Sequence, residues 1–170
     1  YIEGISRVCS HQLVRHRLAS YTQESQRYGE SYMRKAVEKI ASTLGITDEK
    51  RRELKSSKLI EVFLKKAPAD NIVEVAEEAF VLPTDDPVLK RFYAKRYLEA
   101  LLAYYRLIEA GVHWEDARYV LPQATKTALI MTLNLRELLH IARVRLSNEA
   151  QEEIREAVDR MVTEADRAVP

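Results

Sequence analysis

Residues 15–28 read Arg-His-Arg-Leu-Ala-Ser-Tyr-Thr-Gln-Glu-Ser-Gln-Arg-Tyr. The stretch contains three arginines, a histidine, two serines and two glutamines, and few aliphatic residues separate them. Its apolar residues neither alternate nor recur at helical spacing, so it lacks the pattern of a core element. Arginine is costly to bury unless it meets an anion or an acceptor, and its planar guanidinium suits phosphate. The composition indicates a site for a phosphorylated ligand; a solvated, charged loop is the alternative that residue types leave open.

The residues before this stretch predict a strand followed by a helix. Residues 1–5 have the composition of a strand, and Ser6 is suited to cap a helix that would end near Arg17. The basic triplet 15–17 would then lie at the C-terminal end of that helix, where the dipole favours each cation by about 0.3–1 kcal/mol. This structural explanation covers the triplet and leaves the second half of the stretch unexplained.

The composition is that of an ordinary globular domain. The chain has 170 residues, of which 46% are hydrophobic and 31% charged, and its net charge is +1. So small a charge argues against nucleic acid or an anionic membrane as a partner. The single Cys9 excludes an intrachain disulfide and a cysteine metal cluster. No apolar run approaches the roughly 20 residues needed to span a bilayer, and the first residues lack the pattern of a signal peptide. We expect a cytoplasmic protein and, because the chain starts at Tyr1, a further N-terminal part.

The rest of the chain predicts an α+β fold in a single domain, residues 1–170. Residues 30–79 have helical spacing with mixed charges, and residues 80–83 predict a short strand. Asp86 and Pro87 begin a helix that Gly111 ends. The predicted elements that follow are a strand over residues 125–133, a helix over residues 135–146 capped by Asn134, and a final helix over residues 148–168.

A second cationic patch runs from Arg118 to Arg145. On the helix after Asn134, the side chains of Arg136, His140 and Arg143 share a face. Arg145 lies nine positions after Arg136 and would point the opposite way, so the two could meet one ligand only if the helix ends early or a second subunit contributes. If the two patches converge, they form a cationic pocket for more than one phosphate.

The first patch carries a spaced motif: Arg15-His16-Arg17, seven intervening residues, then Ser25 and Arg27. This motif resembles the signature of the flavin-dependent thymidylate synthases, and the resemblance covers about residues 1–30 and 80–165. Other blocks similar to the family, in the same order, are residues 2–7, Gln12, residues 117–122, residues 134–136, Arg145, residues 150–151 and residues 153–155.

The resemblance implies the family fold, with helices around a small mixed or antiparallel sheet, and it implies the family activity. That activity is reductive methylation of dUMP to dTMP in nucleotide biosynthesis, a methyltransferase reaction of a flavoprotein. Methylenetetrahydrofolate donates the carbon, and FAD reduced by NADPH supplies the hydride. The resemblance also implies a homotetramer with sites shared between subunits, and no metal.

The resemblance assigns site residues to both patches. The dUMP residues it implies are Gln12, Arg15, Gln23, Glu24, Ser25, Gln26, Arg27, Arg118 and Arg145. The FAD residues it implies are Arg15, His16, Arg17, Gln23, Asn134, Arg136 and His140. Arg145 is the implied catalytic residue: a guanidinium against the pyrimidine edge favours the N3-ionised form, whose charge spreads toward C5. Ser25 is then a hydrogen-bond donor to phosphate, and Cys9 a packed thiol.

The sequence departs from the family pattern in places. Thr22 and Gln23 stand where many members have Asn-Glu, and His140 stands where a common variant has Asn. Residues 31–79 resemble a helical insertion, and the family's upstream flavin-contacting residues, including a histidine, precede the first residue here. A non-catalytic nucleotide-binding or assembly protein derived from the same fold is therefore the alternative. A basic helix that binds RNA or DNA is a third hypothesis, which the near-neutral charge disfavours.

Overall fold

The computed structural model describes residues 1–25 and 30–168. The chain divides into two compact units, unit 1 with residues 1–24 and 127–170 and unit 2 with residues 25–126. In chain order the elements are β1 Ile2–Ser6, α1 Arg7–Leu13, β2 Ser20–Gln23, α2 Glu30–Thr43, α3 Asp48–Glu53, α4 Ser56–Lys66, α5 Ala69–Ala79, α6 Pro87–Glu109, α7 Trp114–Ala117, a 3-10 turn Arg118–Val120, β3 Lys126–Thr132, α8 Leu135–Arg145 and α9 Glu152–Ala168. The predicted α+β class is confirmed.

Unit 1 is built on a three-stranded sheet in the order β1-β3-β2. Strand β2 runs antiparallel to β3, with Ser20 opposite Thr132 and Gln23 opposite Leu129. Apolar residues of β1, α1, β3, α8 and α9 form one buried core: Ile5, Cys9, Leu13, Leu129, Ile141, Ile154 and Val158. Burying each aliphatic side chain stabilises the unit by about 1.5–3 kcal/mol, and the core holds α1 and α8 on the sheet.

Two predicted caps of unit 1 are confirmed. The Ser6 hydroxyl accepts a hydrogen bond from the Cys9 amide at 3.0 Å, and the Asn134 side chain accepts one from the Glu137 amide at 2.9 Å. Ser6 is tied further, since its amide donates to Glu153 Oε1 at 2.6 Å. These bonds fix where α1 and α8 begin, because a helix otherwise leaves its first amides without partners.

Unit 2 is helical, and its core is apolar. Helices α2, α4, α5 and α6 contribute the large side chains, among them Phe63 and Leu101, and the core contains no charged residue among those described. The predicted start of α6 is confirmed: Asp86 accepts from the Val88 and Leu89 amides at 2.9 Å, with Pro87 in the first turn. Gly111, whose φ of 88° favours glycine, follows the end of α6 as predicted.

Residues 31–79 form α2, α3, α4 and α5, so their predicted helical character is confirmed. Their status as an insertion and the single-domain organisation stay predictions. Of the elements expected nearby, the strand at residues 80–83 is reduced to one antiparallel bridge between Phe80 and Thr125. The proline at Pro83 explains this, since it cannot donate to a sheet ladder.

The predicted end of α1 is wrong. The helix stops at Leu13, and the basic triplet 15–17 lies in the turn after it. A tertiary contact accompanies this end: the Tyr21 hydroxyl donates to the carbonyls of Leu13 and His16, at 2.8 and 2.9 Å, and the same carbonyls accept the amides of His16 and Ala19 in tight turns rather than in a continued helix. The stretch also contains a strand, β2, that its composition did not predict.

No helix in the described part of the chain has the length and apolar character needed to cross a membrane.

Candidate functional site

The two cationic patches meet in unit 1 at one side chain, Arg145. Its Nε donates to His16 Nε2 at 3.0 Å, and its Nη2 donates to the Gln12 carbonyl at 3.2 Å. Arg145 is the last residue of α8, and its side chain contacts Gln12, in the last turn of α1, and His16, in the turn after it. One guanidinium therefore joins the first motif residues to the C-terminal patch within a single chain.

The histidines of the two patches also meet. The rings of His16 and His140 have centroids 6.2 Å apart and lie nearly perpendicular, at 75°. Arg145 and His140 both contact His16 from α8. His140 is exposed, as is Arg136 near the start of that helix. Helix α8 includes both Arg136 and Arg145, so it does not end before Arg145, and the expectation that the two meet one ligand through a second subunit stays a prediction.

His16 is a buried, neutral imidazole. Only 7% of the residue is exposed. Burial lowers its pKa from the ordinary 6.5, the positive charge of Arg145 lowers it further, and the negative charge of Glu137 opposes them. At neutral pH the ring is therefore uncharged and keeps one nitrogen as an acceptor, which is what the donor on Arg145 requires.

Arg15 and Arg17 lie on either side of His16 and are both exposed. Their guanidinium groups are permanently charged and donate several hydrogen bonds each. Two exposed cations beside a buried neutral ring can receive an anion such as a phosphate or pyrophosphate.

Sequence reasoning missed Tyr21 and Glu137. The Tyr21 hydroxyl closes the turn that presents His16, and burial, followed by the charge of Glu137, raises its pKa, so it stays a donor. Glu137 is buried. Two signals were present: an aromatic residue with a polar tip inside a polar motif, and an acid three positions after the cap at Asn134.

Gln23 joins three elements of unit 1. Its Nε2 donates to Ser10 Oγ at 3.0 Å and to Thr127 Oγ1 at 3.3 Å, and both hydroxyl residues are buried. These bonds connect β2 to α1 and β3 and set the position of the Gln23 amide. Ser10 and Thr127 carried no sequence signal, because their partner is distant along the chain.

Gln12 is held in a similar way, since its Nε2 donates to the Gln151 side chain. The Glu24 amide donates to the Ala128 carbonyl at 2.8 Å and extends the pairing of β2 with β3. Asn134 is exposed and uses its side-chain oxygen for the helix cap.

The remaining predicted residues lie outside unit 1 or outside the described residues. Arg118 and Ser25 belong to unit 2, and the Nε of Arg118 donates to the Glu115 carbonyl at 3.0 Å. Gln26 and Arg27 lie outside the described residues.

Cys9 is fully buried, and burial, followed by the charge of Glu153, raises its pKa to about 12. It is a protonated thiol at neutral pH and a poor nucleophile. Among the described residues, no group of histidine, cysteine, aspartate or glutamate side chains is arranged to hold a metal ion.

Comparison with known proteins gives the same family as the motif. The family model described as "Thymidylate synthase complementing protein" matches residues 1–170. A flavin-dependent thymidylate synthase of Pyrococcus furiosus is 41% identical over 166 residues, which cover 96% of this chain and 52% of the relative. The enzyme of that name from Aeropyrum pernix is 38% identical over 170 residues, covering 91% and 52%. The chain thus spans about half the length of the curated relatives it matches.

A solved structure supports the fold. The crystal structure of a flavin-dependent thymidylate synthase from Helicobacter pylori, complexed with FAD and dUMP, has a TM-score of 0.65 to this chain. The match covers 99% of this chain and 65% of that one at 23% sequence identity. Because the family model matches the whole sequence and the spaced motif is present in full, this chain belongs to the family of the flavin-dependent thymidylate synthases.

Proposed function

We propose that this chain takes part in the reductive methylation of dUMP to dTMP, as a flavin-dependent thymidylate synthase. Methylenetetrahydrofolate donates the carbon, and NADPH is the reductant. The observation that carries the proposal is the contact of Arg145 with His16 and Gln12, because it joins the two distant patches to which the family resemblance assigns site residues. The names of the relatives, and the FAD and dUMP in the Helicobacter pylori structure, support it.

Arg145 is the proposed catalytic residue. It is half-buried, and two of its N–H groups are held by His16 and Gln12, so the remaining hydrogens on Nη1 and Nη2 can meet a pyrimidine edge. A guanidinium there favours the N3-ionised uracil, whose negative charge spreads to C5 and makes that carbon nucleophilic. Arginine stays charged at any working pH, so Arg145 acts electrostatically and accepts no proton.

The proposed dUMP residues besides Arg145 are Gln12, Arg15, Gln23, Glu24, Ser25, Gln26, Arg27 and Arg118. Ser25 supplies a hydroxyl donor to the phosphate, and the arginines supply charge. Gln23 is oriented by Ser10 and Thr127, which fixes its amide relative to the sheet before any nucleotide arrives. A prepositioned donor loses less entropy on binding than a free one.

The proposed FAD residues are Arg15, His16, Arg17, Gln23, Asn134, Arg136 and His140. FAD, when bound, supplies the hydride that completes the methyl group. The residues present fit it: exposed cations beside His16 match a pyrophosphate, and the amides and imidazoles match the polar edge of a flavin ring.

The protein is proposed to be a cytoplasmic homotetramer with sites shared between subunits. Helix α8, which carries Arg136, His140 and Arg145, also exposes Leu135, Leu139 and Val144. Apolar side chains next to a proposed site are typical of a surface that another subunit covers. Residues 31–79 are proposed as a helical insertion.

Two observations on the purified chain test the proposed function. Bound flavin is read from visible absorption, and dTMP is measured after mixing with dUMP, methylenetetrahydrofolate, FAD and NADPH. Flavin binding and dTMP formation are expected. If the protein bound dUMP and formed no dTMP with every substrate present, a non-catalytic nucleotide-binding protein would be the better assignment.

A further inference from the structure

The contact between Arg145 and His16 has a consequence for how the guanidinium is aimed. Arginine has a long side chain with many rotamers, so its orientation at a reaction centre must be fixed by neighbours. Here the fixing groups are a ring nitrogen of His16 at 3.0 Å and the Gln12 carbonyl at 3.2 Å. Both belong to the segment that begins the motif.

We propose that His16 is a positioning residue for Arg145: its imidazole accepts the Arg145 Nε hydrogen at Nε2 and so fixes which edge of the guanidinium faces the pyrimidine. This inference rests on the proposed function, because it assigns His16 a task beyond a contact with FAD. With Nε held by His16 and one Nη2 hydrogen held by Gln12, the edge formed by Nη1 and Nη2 is the one offered to a ligand.

The contact specifies the tautomer of His16. A neutral imidazole that accepts at Nε2 carries its proton on Nδ1, and an imidazolium has no acceptor. A charged His16 would also place a second positive charge next to the Arg145 guanidinium. The contact therefore exists only while His16 is neutral.

The surroundings of His16 favour the neutral form. The ring is buried, and α8 directs the charge of Arg145 and the ring of His140 toward it, with Glu137 as the opposing anion. From β2, the Tyr21 hydroxyl donates to the His16 carbonyl and holds the backbone in place. Burial and the charge of Arg145 both lower the pKa of His16, so the acceptor persists below the pH at which a free imidazole would be protonated.

Two variants separate positioning from mere packing. His16→Ala removes the acceptor, and His16→Gln replaces it with an amide oxygen that can also accept from Arg145. We expect His16→Ala to weaken dUMP binding about 10- to 100-fold, the range for losing a hydrogen bond to a charged group, and His16→Gln to restore part of it. Circular dichroism of each variant checks that the fold is retained.

The deciding experiment combines a double-mutant cycle with nuclear magnetic resonance. In the Arg145→Ala background, His16→Ala should cause little further loss of dUMP affinity, because the residue acts through Arg145. In ¹⁵N-histidine-labelled protein without ligand, Nε2 of His16 should be unprotonated, and Arg145→Ala should raise the pKa of His16. Equal losses in both backgrounds, or a protonated Nε2, would overturn the proposal.

The resonance measurement also keeps two failures apart. A chain that bound no dUMP would contradict the proposed function, while the tautomer of His16 and its response to Arg145→Ala would still decide the contact. If His16→Ala abolished flavin binding and left dUMP affinity unchanged, His16 would be a flavin ligand only, and the positioning role would be wrong.

Discussion

Unit 1 and unit 2 differ in how they use buried polar groups. In unit 1, buried polar side chains contact one another or the backbone: His16 accepts from Arg145, and Gln23 donates to Ser10 and Thr127. In unit 2 the described core is built mainly from apolar side chains, although the buried Tyr104 hydroxyl donates to Glu30 at 2.9 Å, and ion pairs such as Lys65 with Glu61 lie at the surface. Buried polar contacts are sensitive to geometry and add little net stability, whereas apolar burial stabilises without directing any group. The difference indicates that the described contacts of His16 and Gln23 direct polar groups in unit 1, whereas apolar packing dominates the core of unit 2.

The largest expected effect on stability is a cavity in unit 2. Phe63 is fully buried on α4. Phe63→Ala should lower the free energy of unfolding by about 3–5 kcal/mol, because the loss of apolar contacts and the cavity left behind both destabilise the fold. Urea denaturation measures it. Phe92→Ala is the matched control because Phe92 is 56% exposed on α6, and its loss should be far smaller. Equal losses would show that the apolar core is not what stabilises unit 2.

A smaller effect is expected from the turn of unit 1. Tyr21→Phe removes the hydroxyl that donates to the Leu13 and His16 carbonyls while keeping the ring, and should cost about 1–3 kcal/mol. Amide hydrogen exchange should accelerate in the turn that contains the triplet 15–17. Tyr119→Phe serves as the control, because Tyr119 is exposed. Unchanged exchange in the Tyr21 variant would show that the hydroxyl does not hold the turn.

The same two regions show what sequence predicts well. Ser6, Asn134 and Asp86 cap helices where the sequence indicated, because a cap depends on residues within three positions. The end of α1 was not predicted, and the Tyr21 contact that accompanies it comes from another element.

For the candidate site, the sequence named residues but did not predict their hydrogen-bond partners. The family resemblance named His16, His140 and Arg145, and the structure brings these three together. Gln12 bonds to Gln151 and Gln23 bonds to Thr127, and each pair is more than a hundred residues apart. No local sequence pattern predicts such pairs. Residues from distant segments come into contact only when the sheet and helices pack, and that packing depends on many residues together rather than on one local pattern.

A third prediction concerns pH. The pKa of His16 is lower in the folded chain than its ordinary 6.5, so the unfolded chain binds the proton more readily. His16 therefore leaves the free energy of unfolding unchanged above about pH 6.5. That free energy falls as the pH drops from about 6.5 toward the lowered pKa of His16. His16→Gln should reduce this loss, which urea midpoints between neutral and mildly acid pH would show. An identical pH profile in the variant would contradict a lowered pKa.

The smallest effect is expected at the surface of unit 2. Glu61 lies near Lys58, Lys65 and Arg106, and the hydrogen bond and charge of Lys65, ahead of the other charges, lower its pKa. Exposed pairs of this kind contribute little because water and salt screen them. Glu61→Gln should leave the urea midpoint almost unchanged at physiological salt. A large loss would mean that surface charge stabilises unit 2 as much as its core does.

The central claim is that Arg145 activates the pyrimidine, and one measurement tests it most directly. The rate of dTMP formation is compared between Arg145→Ala and Arg160→Ala, the latter removing an equal charge from an exposed position on α9. We expect Arg145→Ala to lose at least about 100-fold in rate with its fold intact, and Arg160→Ala to retain its rate. Normal turnover by Arg145→Ala would contradict the claim.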